Sequence, residues 1–297
     1  MIREASEKSG LILKGIGGFY YVKTADTVLE CNAKGIFRLQ GIKPLAGDFV
    51  DVTESGGGYA VSRIHDRENS FKRPPISNVD NFFLVVSSVE PAPNMLVIDR
   101  MTVLCEQRKI KPVILLTKTD LKKADDVVDI YSRIGYEVID VMQDEASAVE
   151  RIGEICNRNI SVFSGNSGVG KSTFLNKLMP GLSLATNEIS QKLGRGKHTT
   201  RAVELYEFNG GFIADTPGFS ALDFERDEKI DKADLASYFP EIDAHTDGCF
   251  FTGCSHTVEK GCSVLEALQE GLIAPSRHEN YRYLYEEAQR IERSRYS

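Results

Sequence analysis

Gly165-Asn166-Ser167-Gly168-Val169-Gly170-Lys171-Ser172 fits the pattern G-x-x-x-x-G-K-[ST], and Thr173 continues into the helix that the pattern requires. Small residues at this spacing let successive backbone N–H groups face two phosphates, and the helix N-terminus adds the positive end of its dipole. Lys171 then reaches the β- and γ-phosphates of a nucleotide, while the Ser172 hydroxyl ligates Mg²⁺. Further along, Asp215-Thr216-Pro217-Gly218 follows the apolar strand Phe212-Ile213-Ala214. An Asp at such a strand end can hold the same Mg²⁺, and the N–H of Gly218 can meet the γ-phosphate.

A third loop, Thr117-Lys118-Thr119-Asp120, ends an apolar strand at residues 112–116. It resembles the guanine-reading N-K-x-D loop of P-loop GTPases, with Thr117 where that loop has Asn. The Asp120 carboxylate would accept both N–H donors on guanine's edge, and the Lys118 stem would pack on the ring. The order of these loops is unusual, because the guanine loop precedes the phosphate loop. One ring of elements cut at a different place, a circularly permuted GTPase, explains that order. The basic, Gly-punctuated loop at residues 191–201 then falls where switch I belongs. Thr199 or Thr200 of this loop would close on Mg²⁺ and the γ-phosphate, and Thr200 is assigned that role. His198 reads either as a water-positioning group or as a solvated loop histidine.

Cys249-x4-Cys254-x-His256-x5-Cys262 offers three thiolates and an imidazole, a closed tetrahedral set suited to one structural Zn²⁺. No position is left for a reacting water, so this metal is not expected to be catalytic. The remaining cysteines, Cys31, Cys105 and Cys156, sit in apolar patterns and read as core thiols.

The elements that must position these groups follow from periodicity. Alternation at residues 18–23, 27–31, 36–39, 48–53 and 59–64, with glycine-rich turns between, predicts five short strands in a small barrel. Residues 66–75 read as a linker. From residue 79 apolar strands alternate with amphipathic helices, which predicts a parallel, helix-covered sheet, closed by a hairpin around Asn209-Gly210-Gly211. A final helix is expected from a capping box at Ser276-x-x-Glu279, with Tyr281, Leu284, Tyr285, Ala288 and Ile291 on one face.

Composition sets the outer bounds. The 297 residues are 41% apolar and 27% charged, which excludes wholesale disorder. No apolar run approaches the roughly 18 residues of a membrane span, and the mixed charges at residues 1–8 lack the apolar core of a signal peptide. A cytoplasmic protein with no membrane partner is expected. The net charge of −7 argues against a protein coated with nucleic acid, yet residues 219–247 alone hold nine acidic and three basic side chains. Local basic patches therefore stay compatible with an RNA partner.

The barrel, the permuted nucleotide loops, the segments G-N-S-G-V-G-K-S, D-T-P-G and G-x-G-K-H-T-T-R, and the C-x4-C-x-H-x5-C module together resemble the bacterial RsgA (YjeQ/YloQ) family over essentially the whole chain. The resemblance implies three parts. These are an all-β OB-like barrel (residues 1–70), a circularly permuted α/β P-loop GTPase domain (71–222) and a mainly α zinc-binding domain (223–297). It implies GTP hydrolysis stimulated by the small (30S) ribosomal subunit, a role in that subunit's late maturation, contact with its rRNA, and a monomer. It also gives His198 the water-positioning role, since Phe219 stands where Ras-like enzymes place Gln. Other readings remain open on residues alone: a GTPase of another ribosomal or translational step, an ATP-dependent P-loop enzyme, or an RNA-binding module with a vestigial nucleotide site.

Overall fold

The computed structural model describes residues 8–180, 203–215 and 230–295. Strands β1 (Lys8–Ile16), β2 (Phe19–Lys23), β3 (Val28–Ala33), β4 (Phe49–Ser55) and β5 (Gly58–Ile64) close in the order β1-β2-β3-β5-β4-β1. Ile12, Val22, Cys31, Val50, Val52 and Val61 fill the interior. A short helix, α1 (Gly35–Leu39), sits between β3 and β4, which completes an OB-like barrel.

That helix corrects the expected strand at residues 36–39. One turn drives Phe37 into the barrel core, while Ile36 and Leu39 face solvent, Leu39 at 88% exposure. The fifth strand is β1 instead. Its Leu11 and Ile12 are both buried, because its start pairs with β4, its length with β2, and Lys14 lies opposite Glu204 of a neighbouring sheet. Simple alternation is lost in such a strand.

Residues 66–75 are not a free linker. Strand β6 (Ser70–Phe71) pairs with β7 (Ile76–Ser77), and Phe71 is buried. The buried carboxylate of Asp48 accepts from Arg67 Nε at 2.7 Å and from Ser77 Oγ at 2.6 Å, which straps this segment to the barrel. Gly47 is needed beside it, because at φ +92° a Cβ would stand 2.1 Å from the Ser77 carbonyl oxygen.

The second sheet uses β8 (Asn81–Ser87), β9 (Lys111–Thr117), β10 (Glu137–Asp140), β11 (Ile160–Ser164), β12 (Glu204–Phe208) and β13 (Gly211–Asp215). Their order is β10-β9-β8-β11-β13-β12, parallel except for β12. Every residue of β8 is buried, as a central parallel strand covered on both faces requires, and Phe83 stacks on Phe163 at 4.4 Å. Residues of α2 (Met95–Gln107) and α3 (Asp125–Arg133) join the core on one face. Those of α4 (Glu145–Cys156) and α5 (Lys171–Leu178) join it on the other. The β12–β13 turn places Asn209 and Gly210 at φ +45° and +78°, the left-handed pair that a tight hairpin needs. Lys14–Glu204 and Lys23–Glu207 ion pairs, at 2.6 and 2.7 Å, fasten β12 to the barrel.

The C-terminal region packs helices Pro240–Asp243, Ser263–Gln269 and Pro275–Arg295 around Phe239, Ile242, Val264, Ile273, Tyr281 and Leu284, with Val103 of α2 in the same cluster. The last helix starts at Pro275, so Ser276 lies inside its first turn and does not cap it. The Ala274 carbonyl receives the N–H groups of Arg277 and His278 instead. Tyr281, Leu284 and Ala288 are buried, but the stripe ends before Ile291, which is exposed. Among the described residues no helix is long and apolar enough to cross a membrane.

Arg277, 1% exposed, locks this region onto α2. Its guanidinium donates to Asp99 Oδ1 at 2.7 Å and forks onto Glu241 at 2.6 and 3.1 Å, above the Phe239 ring. Asn280 donates to the other Asp99 oxygen at 2.6 Å, and Tyr131 of α3 donates to Asp99 as well. Arg277→Ala would remove the cation that faces the buried Asp99 and the half-buried Glu241, and is expected to cost about 3–5 kcal/mol in urea unfolding. A loss under about 1 kcal/mol, the range of a surface pair, would contradict this account.

Candidate functional site

The carboxyl ends of β8, β9, β11 and β13 point to one rim of the sheet, where open α/β sheets bind ligands. The phosphate loop leaves β11 there. Gly165 has room for nothing larger, since a Cβ would meet the Val85 carbonyl oxygen at 2.7 Å. Gly168 and Gly170 hold φ of +84° and +93°, and Gly170 stands at the N-cap of α5. Glycine adopts the left-handed conformation at both positions without the strain a side chain would bring. Asn166, Lys171 and Ser172 are half-buried, and Ser167, Gly168 and Thr173 are exposed. Val169 is buried and anchors the loop to the sheet.

The guanine loop is bonded directly to the phosphate loop. The Thr117 hydroxyl donates to the Val169 carbonyl at 2.6 Å, and the Lys118 ammonium donates to the Gly168 carbonyl at 2.8 Å. Lys118 also donates to the Glu90 carbonyl, and Ser88 Oγ donates to the Lys118 carbonyl at 2.7 Å. Lys118 itself takes φ +59°, the left-handed turn that lifts the loop off the strand. Thr119 Oγ1 donates to Asp140 at the end of β10 at 2.6 Å. Asp120 is exposed with no hydrogen-bond partner among the described residues, so both carboxylate oxygens remain available as acceptors. Sequence reasoning assigned Thr117 to the nucleotide. In the fold its hydroxyl is turned to the phosphate loop, and residue type alone carries no signal of that.

His198, Thr199, Thr200, Gly218 and Phe219 lie outside the described residues, as does the side chain of Asp215. The Asp215 backbone ends β13 opposite Glu204, next to β11 and three strands from β9, which leads into the guanine loop.

The second centre lies in the C-terminal region. Donor atoms of Cys249, Cys254, His256 and Cys262 fall within 4.8 Å of one another, so this set could hold a metal ion. Cys249 Sγ is 3.8 Å from Cys262 Sγ, and His256 Nδ1 is 3.4 and 3.6 Å from those two sulfurs. A tetrahedron built on Zn–S bonds of about 2.3 Å and a Zn–N bond of about 2.1 Å has edges of about 3.8 and 3.6 Å. Cys249, His256 and Cys262 match those edges, and the Cys254 donor lies within 4.8 Å of them, so the set suits such an ion. Burial holds His256 below its ordinary value, with Glu259 opposing, which keeps the imidazole neutral as a ligand must be. By contrast, burial pushes Cys31 and Cys156 up to about 11, so these thiols stay protonated, as core residues do.

Thr117→Val removes the tether to Val169, with the longer 3.4 Å contact to the Val86 carbonyl, and should weaken GDP binding roughly fivefold, measured by titration calorimetry, while Thr117→Ser stays within about twofold. Equal affinity of Thr117→Val and the parent chain would show the tether to be inert.

Comparison with known proteins agrees with this architecture. The family model for the RsgA GTPase matches residues 64–225, and that for the RsgA N-terminal domain matches residues 9–61. A small ribosomal subunit biogenesis GTPase RsgA of Geobacillus sp. (strain WCH70) is 44% identical over 286 residues, covering 94% of this chain and 96% of that one. A protein of the same name from Streptococcus pneumoniae serotype 4 is 43% identical over 279 residues, covering 92% and 91%. The crystal structure of YjeQ from Thermotoga maritima superposes with a TM-score of 0.79 at 30% identity, covering 96% of this chain and 99% of its own. That of YloQ, a circularly permuted GTPase, gives 0.77 at 32%, covering 98% of each. With the guanine loop bonded to the phosphate loop, a barrel on the edge strand and a Cys₃His cluster at the far end, the chain belongs to the RsgA family of circularly permuted GTPases.

Proposed function

We propose that this chain hydrolyses GTP to GDP and phosphate in the late maturation of the small (30S) ribosomal subunit, binds that subunit's rRNA, and turns over faster when docked on it. The reading rests on one observation above others: the guanine loop and the phosphate loop are joined by the Thr117–Val169 and Lys118–Gly168 hydrogen bonds. Intact Lys171, Ser172 and Asp215 count against a vestigial site. The names carried by relatives over 40% identical supply the ribosomal assignment.

Each residue then has a task. Asp120 accepts guanine's two edge N–H donors, and the Lys118 stem covers the ring. The N–H groups of residues 165–173 and the Lys171 ammonium hold the β- and γ-phosphates. Ser172 and Asp215 are assigned to Mg²⁺, with Thr200 joining from the switch loop; when bound, the ion neutralises charge on the β- and γ-phosphates. Gly218 donates its N–H to the γ-phosphate, and His198 orients the attacking water. That water forms a bond to the γ-phosphorus as the bond to the bridging oxygen of GDP breaks. The Cys₃His cluster is assigned one structural Zn²⁺, all of whose positions come from protein. The barrel, the basic loop and the metal-bearing region are the surfaces assigned to rRNA. Domain limits at residues 70 and 222, a cytoplasmic location and a monomeric state complete the proposal.

Phosphate release should rise severalfold or more on adding small subunits and stay flat with large ones. His198→Ala is expected to abolish that rise while GTP affinity stays within about twofold, as loss of a transition-state contact requires. Equal stimulated rates would remove His198 from the mechanism, and a preference for ATP over GTP would remove the guanine assignment.

A further inference from the structure

The segment that carries the imidazole between Cys254 and Cys262 is organised by a residue outside the donor set. His256 has φ +57°, in the left-handed region that a side chain with a Cβ enters only when its surroundings hold it there. Glu259 does the holding. Its carboxylate accepts the N–H of Ser255 at 2.9 Å, just before His256, and that of Thr257 at 3.0 Å, just after. It also accepts the Val258 N–H at 3.1 Å and the Ser255 hydroxyl. The two carbonyls of the same turn are taken from the far side by the closing helix. Tyr281 donates its hydroxyl to the Ser255 carbonyl at 2.9 Å, and His278 Nε2 lies 2.8 Å from the His256 carbonyl. Glu259 is half-buried and has no Lys or Arg partner among the described residues, so these donors are what its charge meets.

We propose that Glu259 is the positioning residue of the metal centre: its carboxylate fixes the Cys254–Ser255 and His256–Thr257 peptides, which turns Nδ1 toward Cys249 and Cys262 and shapes the site before an ion arrives. This rests on the zinc reading of the cluster and adds a residue that the donor spacing does not reveal. A metal's outer partners orient its ligands, and losing one typically weakens binding about 10–100-fold. In Glu259→Gln the amide nitrogen would face backbone N–H groups in place of an acceptor, so at least one half of the cradle fails.

The test uses the full chain and metals alone. Zn²⁺ affinity is measured by competition with a chromophoric chelator, and Co²⁺ is loaded in parallel to read the ligand field. Glu259→Gln is expected to bind Zn²⁺ about 10–100-fold more weakly, with a Co²⁺ spectrum altered as water replaces the imidazole. Glu266→Gln, an exposed carboxylate on helix Ser263–Gln269, should leave both readouts unchanged. Wild-type affinity and spectrum in Glu259→Gln would overturn the proposal. If that variant fails to fold, Ser255→Ala decides the matter: about threefold weaker binding supports the proposal and unchanged binding overturns it. A wild-type chain that takes up no stoichiometric Zn²⁺ would instead overturn the zinc reading itself, and the proposal with it.

Discussion

Two side chains from one loop donate to two successive carbonyls of another, and the nucleotide site depends on that join. Thr117 and Lys118 reach Val169 and Gly168 across 52 and 50 residues of chain, at 2.6 and 2.8 Å. A loop that must read a base and a loop that must cradle phosphates need a fixed separation, because a nucleotide is one rigid-ended object. The parallel sheet brings both loops to the same rim, and the two hydrogen bonds set the remaining distance. Thr117 also clarifies what the departure from the N-K-x-D pattern means. A hydroxyl has one proton to give, and here the phosphate loop receives it.

The phosphate loop and the sheet beneath it are legible from residue order, since G-x-x-x-x-G-K-[ST] carries its own local geometry and the strands beside it are uninterrupted apolar runs such as Phe82-Phe83-Leu84-Val85-Val86. The Cys₃His set is legible for the same reason, as its donors crowd into one short segment. What sequence hid are interactions whose partners are remote. Arg277 reads as one more charge on a helix, yet it is buried against Asp99 and Glu241, 178 and 36 residues away. Arg67 and Asn69 make residues 66–75 look like a polar linker, although Arg67 neutralises the buried Asp48 and Asn69 bonds the backbone of Val79. The short helix Gly35–Leu39 imitates alternation because a single turn cannot display a helical period.

Permutation also changes what the edge of the sheet is for. Edge strand β12 is paired with β1 of the barrel and fastened by Lys14–Glu204 and Lys23–Glu207. The strand that precedes β13 and its terminal Asp215 is therefore in direct contact with the barrel. At the other end, Arg277 holds the region of the Cys₃His cluster to α2, in the helical layer over the same sheet. Both flanking parts therefore touch the GTPase core through charged groups.

Co-sedimentation with purified small and large ribosomal subunits, in GDP and in a non-hydrolysable GTP analogue, tests the central claim most directly. The account predicts that the chain pellets with small subunits in the GTP-analogue state, less in GDP, and with large subunits in neither. Binding to neither subunit in the GTP-analogue state, or to large subunits alone, would contradict it.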